Sequence, residues 1–544
     1  MLPETYIRKE IERFLHSKNL QNIEIKFEKP KQKQFGDLST NIAMQLAGAL
    51  KANPKKIADE IKNSLRSDPR YLEKIEIAGP GFLNFYLSAG SLFIQLNEIL
   101  QEKEQFGHSD TGQGIKTQVE FISANPTGPL TIGHGRQAVL GDTISRLLET
   151  IGYQVTREYY FNNAGRQMRI LGDSVRLRYL QLLGETVRFP EDYYQGDYII
   201  DIARQLYNEE GEKLRDLEDI TFFKDRAEKE VFKDIKRSIA RLHFEMDTYY
   251  NEKSLYDEGK INEVVSLLRN EGLVDERDGA VWFLTSKLGK EQDRVIIKSS
   301  GEPTYRLPDI AYHREKFRRG FELIIDIFGA DHIDTYPDVL LALQALGYDE
   351  NKVKVLIHQF VTLTEGTEKV KMSTRKANFV TLDELMDEVG EDVTRFFFLM
   401  RHMNAHLNFD LTLAKTQSDE NPVYYIQYAH ARICSIQRFA GEKQLTPGDS
   451  ADLTLLSEEE ELDLIKHLVD FPPTIEASAL NFEPHRLVHY LIDTATLFHK
   501  FYTECRVITD DIKLSQSRLA LCEATRIVLA NGSHVLGINA PERM

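Results

Sequence analysis

The chain is poor in cysteine and tryptophan, with three and one in 544 residues. Cys434, Cys505 and Cys522 are odd in number and widely spaced, which excludes a disulfide framework and a Cys-x-x-Cys zinc site. They read as buried or incidental thiols. No stretch reaches the ~18 uninterrupted apolar residues of a membrane span, and the opening MLPETYIRKEIERF lacks a signal-peptide core. The expected location is the cytoplasm, with no membrane partner. Positive charge is also in deficit, because 68 Lys and Arg face 85 Asp and Glu for a net charge of −17. Any contact with nucleic acid must use a basic face on an acidic body. Internal repeats and low-complexity tracts are missing too.

What is present is a globular composition, 42% hydrophobic and 28% charged, long enough for three or four domains. Its most informative stretch runs from Val119 to Arg136. A short apolar run breaks at Pro126, Gly128 and Pro129, passes Gly133-His134-Gly135, and continues into Leu140, Ile144, Leu147, Leu148 and Ile151 on one helical face. Tyr153 to Tyr160 then reads as a second strand. Strand, tight loop, helix and strand place a helix N-terminus, with its free N–H groups and positive dipole end, at the carboxyl end of a parallel strand. A nucleotide phosphate is the natural occupant. Glycine at 133 and 135 would let a ligand reach the backbone, and His134 offers a donor. No Lys-Ser or Lys-Thr follows, so this is no Walker loop, and the spacing is not G-x-G-x-x-G.

Residues 1–115 read as a small mixed domain of amphipathic helices and short strands. Residues 116–390 carry the nucleotide fold, interrupted at 186–290 by charge-rich helical text to which no chemistry is assigned. The apolar run Leu323 to Phe328 suits a doubly covered strand. The run Val353 to Leu363 feeds a basic loop, Lys369 to Lys376. From 391 to 544 the text is helical throughout. The expected architecture is α/β: a Rossmann-like parallel-sheet domain with a helical insertion, a small α+β N-terminal domain and an all-α C-terminal domain.

The word ANPTGPLTIGHGR resembles the HIGH motif of class I aminoacyl-tRNA synthetases, with Thr131 at the first position of the tetrad. The basic loop Lys369-Val370-Lys371-Met372-Ser373-Thr374-Arg375-Lys376 resembles their KMSKS loop, with Thr374 where a lysine usually stands. FGDLSTNIAMQLA and GPGFLNFYLS resemble the N-terminal domain of the arginyl-tRNA synthetase family, and NPVYYIQYAHARICSI and the terminal PERM its anticodon-binding domain. The resemblance implies activation of L-arginine by ATP, with Mg²⁺ on the phosphates and no zinc, and transfer to tRNA-Arg by a monomer. It implies catalytic roles for His134, Lys371, Ser373 and Arg375, and ATP contacts from Thr131, Gly133, His134, Gly135, Lys371 and Met372. Arginine would meet Glu120, Asn125, Tyr305, Asp309 and Asp331, the last of which could instead hold ribose hydroxyls. tRNA would meet Asn84 through its elbow, and Tyr424, Tyr428, Arg432 and Met544 through its anticodon, with His430 and Lys29, Lys31 and Lys33 as further phosphate candidates. A carboxylate such as Glu120, buried in an apolar run without a partner, would be costly, which favours a ligand role. Tyr305 and Asp309, four apart, would be aimed alike by one helical turn. Two rivals remain at this point: a tRNA-binding regulator that keeps the fold but has lost the chemistry, and a small-molecule nucleotidylyltransferase.

Overall fold

The computed structural model describes residues 3–20, 23–30, 32–330, 334–366, 368–369, 380–445 and 451–544. Its centre is a five-stranded sheet of β1 (Lys116–Glu120), β2 (Gln154–Phe161), β3 (Thr248–Asn251), β4 (Leu323–Gly329) and β5 (Val353–His358). The strands lie in the order β3-β2-β1-β4-β5, with every neighbouring pair parallel. The chain therefore reverses its direction of winding between β1 and β4. Sheets of this kind take ligands in the crevice at the carboxyl ends of those two strands.

Alternation along β1 sends Val119 and Phe121 to one face and Gln118 and Glu120 to the other. Helix α1 (Ile132–Thr150) covers the first face so closely that a Cβ on Gly141 would lie 2.2 Å from the Phe121 ring. Helix α2 (Arg306–Arg318) covers the second, bringing Tyr312 to Gln118 and Lys316 to Glu120. Ile324, Ile325 and Ile327 of β4 are fully buried, as a strand covered on both faces requires.

Three expectations are corrected here. Within 186–290, Asp197–Glu210 and Ile220–Arg241 are helical as read, but Thr248–Asn251 is the outer strand of the main sheet, and Val274–Arg277 and Ala280–Phe283 are two strands of a small antiparallel sheet. Arg294–Ile297, read as the resumption of the main sheet, belongs to that smaller one. Beyond 391 one strand persists, because Leu407–Asp410 pairs in parallel with Val361–Glu365. Four-residue strands are too short for alternation to declare them against a charged background.

Helices α3 (Leu382–Val389) and α4 (Glu391–Leu399) lead into α5 (Pro422–Glu442), α6 (His485–Glu504) and α7 (Ile512–Leu536). One hydrophobic core joins α1, α4, α5, α6 and α7, so the helical end of the chain and the nucleotide fold share their interior. The small N-terminal domain has its own core, from Tyr6 to Phe85. Leu92, Leu96 and Ile99 of the helix Ala89–Glu102 belong to the larger core instead, which puts the physical boundary near residue 88 rather than 115. Among the described residues no helix is long and apolar enough to cross a membrane.

Candidate active site

At the carboxyl end of β1 the backbone takes left-handed dihedrals at Ile122 (φ 70°) and Ser123 (φ 42°). A β-branched residue there is strained, and such strain persists only where the surroundings impose it. The constraints are visible. Ser123 Oγ donates to Glu120 Oε1 (2.9 Å) and accepts from the Tyr160 N–H (3.2 Å), while Tyr159 donates to the Ala124 carbonyl (2.8 Å). Asn125 accepts from the Asn162 N–H and donates to Gln167, which ties this loop to the carboxyl end of β2.

The loop ends at Thr131, the N-cap of α1. Its hydroxyl accepts from the His134 N–H, and its own N–H donates to His134 Nδ1 (3.2 Å), which completes a capping box. An acceptor at Nδ1 places the proton of a neutral imidazole on Nε2. Thr131, at the position where the motif usually carries histidine, thus caps the helix and fixes the His134 tautomer. Gly133 and Gly135 differ in purpose. A Cβ on Gly133 would meet nothing nearer than Thr131 Oγ1 at 3.7 Å, leaving the backbone open to a ligand. On Gly135 it would lie 2.5 Å from Leu382 Cδ1 and 3.2 Å from the Phe398 ring, so that glycine serves helix packing.

The far side of this helix end is formed by the chain around the basic loop. The Leu382 N–H donates to the Leu130 carbonyl (2.8 Å), and Thr131 bridges Thr381. Residue 381 therefore lies beside the cap of α1. Lys371, Met372, Ser373 and Arg375 fall outside the described residues.

On the α2 face, Glu158, Glu120 and Asp326 stand in register on three adjacent strands. Like charges in a row are destabilising unless answered. Helix α2 and the residue after it answer them: Lys316 Nζ lies 2.6 Å from Glu120 and 2.5 Å from Asp326, while Arg319 forks onto both oxygens of Glu158. His313 Nε2 adds a contact of 2.8 Å to Asp326. These partners overcome burial to hold the Asp326 carboxyl well below its usual range, and its companion Glu120 is pushed up by burial and by Asp326. Glu120 is 3% exposed with both oxygens engaged. The expectation that it lacks a partner is therefore wrong, and with it that argument for direct ligand contact.

Two further carboxyls keep an accessible edge. Asp309 is pushed up to about 7 by burial, with Glu120 and Glu252 adding to the rise against His313 and Lys316. Glu252, directly after β3, accepts from Tyr160 (2.9 Å) and Asn162 (2.8 Å) and is likewise raised by burial. Sequence reading passed over Glu252 because it sits in charge-rich text, where only the strand before it reveals its place. Glu120, Glu158, Glu252, Asp309 and Asp326 face Lys316 and Arg319, so the site is short of positive charge and suited to a cationic ligand. Tyr305 is 86% exposed while Asp309 is tucked in, so the single turn between them does not aim both inward. Asp331 lies outside the described residues.

A family model described as "tRNA synthetases class I (R), catalytic domain" matches residues 95–406, more than half of the chain. The chain belongs to the arginyl-tRNA synthetase family. The model of the arginyl-tRNA synthetase N-terminal domain matches residues 4–87, and that of the DALR anticodon binding domain residues 426–544. The chain is 56% identical to the arginine–tRNA ligase of Desulfotalea psychrophila over 519 residues, covering 95% of this chain and 94% of that one. It is 49% identical to that of Salinibacter ruber, covering 99% and 100%. The solved arginyl-tRNA synthetase of Thermus thermophilus superposes with a TM-score of 0.78 over the whole of both chains at 23% identity, which bears on the fold alone.

Against the expectations for an arginyl-tRNA synthetase, the outlying residues divide. Asn84 is 4% exposed and accepts from Ser39 Oγ (2.8 Å), so it braces the small sheet and faces no RNA. Lys29 pairs with Asp470, and Lys31 is outside the described residues. His430 is buried against the Pro541 carbonyl (2.9 Å), which removes it from the surface. Tyr424 and Tyr428 of α5 stack at 6.1 Å, and the Arg432 guanidinium lies 4.9 Å from Tyr428 and 5.1 Å from Tyr502. Tyr424, Gln427 and Met544 line a cleft of about 490 Å³ beside them. Among the described residues no cluster of His, Cys, Asp and Glu could hold a metal ion.

Proposed function

We propose that the chain is an arginine–tRNA ligase, and that its amino acid binds between β1, β3 and α2 while ATP lies across the N-terminus of α1. In the first step an oxygen of the arginine carboxylate attacks the α-phosphorus of ATP as the bond to the bridging oxygen breaks and pyrophosphate leaves. The hydroxyl of the terminal ribose of tRNA then attacks the arginyl carbonyl, and AMP leaves. Both steps need charge stabilisation and alignment more than covalent help from the protein. His134, Gly133 and the helix end supply donors to one side of the phosphates, and Lys371, Ser373 and Arg375 are assigned the other. Mg²⁺ carried in with ATP would neutralise phosphate charge there.

The observation that carries the substrate assignment is the excess of carboxyl groups beside the helix end. Lys316 and Arg319 satisfy the three deep acids, leaving Asp309 and Glu252 as the pair for a guanidinium, with Asn125 and Tyr305 at the rim. Asp331 is assigned to arginine or ribose hydroxyls. The aromatic and cationic surface of Tyr424, Tyr428, Arg432 and Met544 suits the anticodon loop, since bases stack on such surfaces without regard to the acidic body behind them.

The test is charging of total tRNA by the purified chain with ATP, Mg²⁺ and radiolabelled amino acid. Arginine should be transferred and lysine should not; binding of tRNA with no charging would point to a regulator. Replacing His134 with alanine should cut turnover by about 10²-fold, as loss of one charge-stabilising donor does, with tRNA affinity nearly intact. Sedimentation equilibrium should give the mass of a monomer.

A further inference from the structure

Arg136 presents a physical anomaly one turn inside α1. Its side chain is fully buried, and no carboxylate pairs with it among the described residues. Burial alone lowers its guanidinium to about 10. Nη1 donates to the Gln359 carbonyl (2.6 Å) and the Ala405 carbonyl (3.1 Å), Nη2 donates to the His402 carbonyl (3.3 Å), and Nε has no partner. An unpaired buried charge is among the most costly groups a fold can keep.

The carbonyls it grips explain its position. Gln359 follows β5 and opens the strand Val361–Glu365, while His402 and Ala405 form the turn that opens Leu407–Asp410. These segments are paired to each other: the Gln359 N–H donates to Met403 and the Leu407 N–H to Phe360. The next residue, Gln137, reaches the carbonyl of Ile327 in β4. Two consecutive side chains of the His134 helix thus hold the carboxyl ends of the strands that form the opposite wall. Only a guanidinium, with five donors in a planar fork, can span three carbonyls drawn from two segments.

We propose that Arg136 is a positioning residue for phosphate handling, setting the strand pair Val361–Glu365 and Leu407–Asp410 at a fixed distance from the turn that carries His134. It touches no substrate. Its effect passes through the strand that precedes Lys369, so the inference rests on the phosphate role assigned above to Lys371.

The experiment uses the full chain with tRNA present and measures arginine-dependent ATP–pyrophosphate exchange for R136K, R136Q, K371A and the R136K/K371A double variant. R136K, which keeps the charge but not the fork, should lower kcat by about 10-fold to 10²-fold, the loss expected of an ångström-scale misplacement, with KM for arginine within about twofold of the parent. Added to K371A it should cost little more, because both act on one contact. A purely structural defect would multiply with K371A and raise the arginine KM too. R136K at the parental rate, or fully multiplicative losses, would overturn the inference. K371A at the parental rate would instead overturn the phosphate reading beneath it. Should both Arg136 variants fail to fold, H402A loosens the same turn from the surface, where His402 Nδ1 accepts from the Asn404 N–H, and must show a smaller loss of the same pattern.

Discussion

At the scale of single residues, the site is controlled by which carboxyls are already answered by the protein. Glu120 and Asp326 share the Lys316 ammonium, whereas Asp309 meets its nearest charges at longer range and is pushed up to about 7. The sign of the resulting pH dependence follows. An acid raised in the folded state binds a proton that the unfolded chain has lost, so this group lowers the stability of the free protein as pH rises from about 4 to about 7. A bound guanidinium reverses the preference by favouring the carboxylate. Arginine affinity should therefore increase from pH 5 to about 7 and level off above, with a proton released on binding below pH 7. Calorimetry in two buffers of different ionisation enthalpy checks this. Asp309→Asn should remove the pH dependence and weaken binding by about 10-fold to 10²-fold, as loss of a charged hydrogen-bond partner does. Much of this was legible in the sequence, which singled out Asp309, Glu120 and Asn125. It did not show Lys316 or Glu252, because a lysine ten residues before its partner and a glutamate after a short outer strand carry no periodic signal.

At the scale of elements, the turn from β1 into α1 shows how one motif divides its glycines between ligand and fold. Gly133→Ala should leave stability nearly unchanged, because space is open there, yet weaken ATP binding. Gly135→Ala should cost about 1–3 kcal/mol of stability, since its Cβ must displace Leu382 of α3. Thermal unfolding and the KM for ATP, measured on both variants, separate the two glycines. The N-cap argument gives a third value: Thr131→Ala should cost about 1 kcal/mol through loss of the hydroxyl that accepts from the His134 N–H, whereas the backbone N–H that donates to His134 Nδ1 stays and keeps the tautomer, so kcat should fall no more than stability explains. The helix and its N-terminus were readable from spacing alone. Packing against α3 was not, because the contact joins residues 135 and 382, and nothing local in either stretch specifies the other.

At the scale of the whole molecule, a buried joint ties the nucleotide fold to the helical end of the chain. Asp142 of α1 is fully buried and accepts from Arg395, Arg146 and Arg157 at 2.6, 2.8 and 3.2 Å. Arg395 also donates to the carbonyl of Leu536 (2.9 Å), the last residue of α7, and to that of Leu242, the C-cap of the helix Ile220–Arg241. Their negative dipole ends suit the cations gathered there. Gly537 leaves room for this, since a Cβ at that position would lie 2.3 Å from Arg395 Nη2. Arg395→Met should destabilise the chain by about 3 kcal/mol or more by leaving Asp142 and both carbonyls poorly answered. In that background Gly537→Ala should lose its clash with Arg395 and cost only the strain of its left-handed φ of 71°, about 1 kcal/mol, and urea unfolding of the single and double variants checks it. Sequence reading drew the helical region as a separate domain because its text changes character. That helical region also shares a hydrophobic core with the nucleotide fold, and composition cannot report which side chains interdigitate across a boundary. During synthesis, Asp142 leaves the ribosome long before Arg395 and Leu536 exist. The helix that carries His134 must then wait with a charged carboxylate still wetted by solvent. Nascent chains of this protein should accordingly remain open to chaperones and proteases, and unable to hold ATP, until α7 has been made.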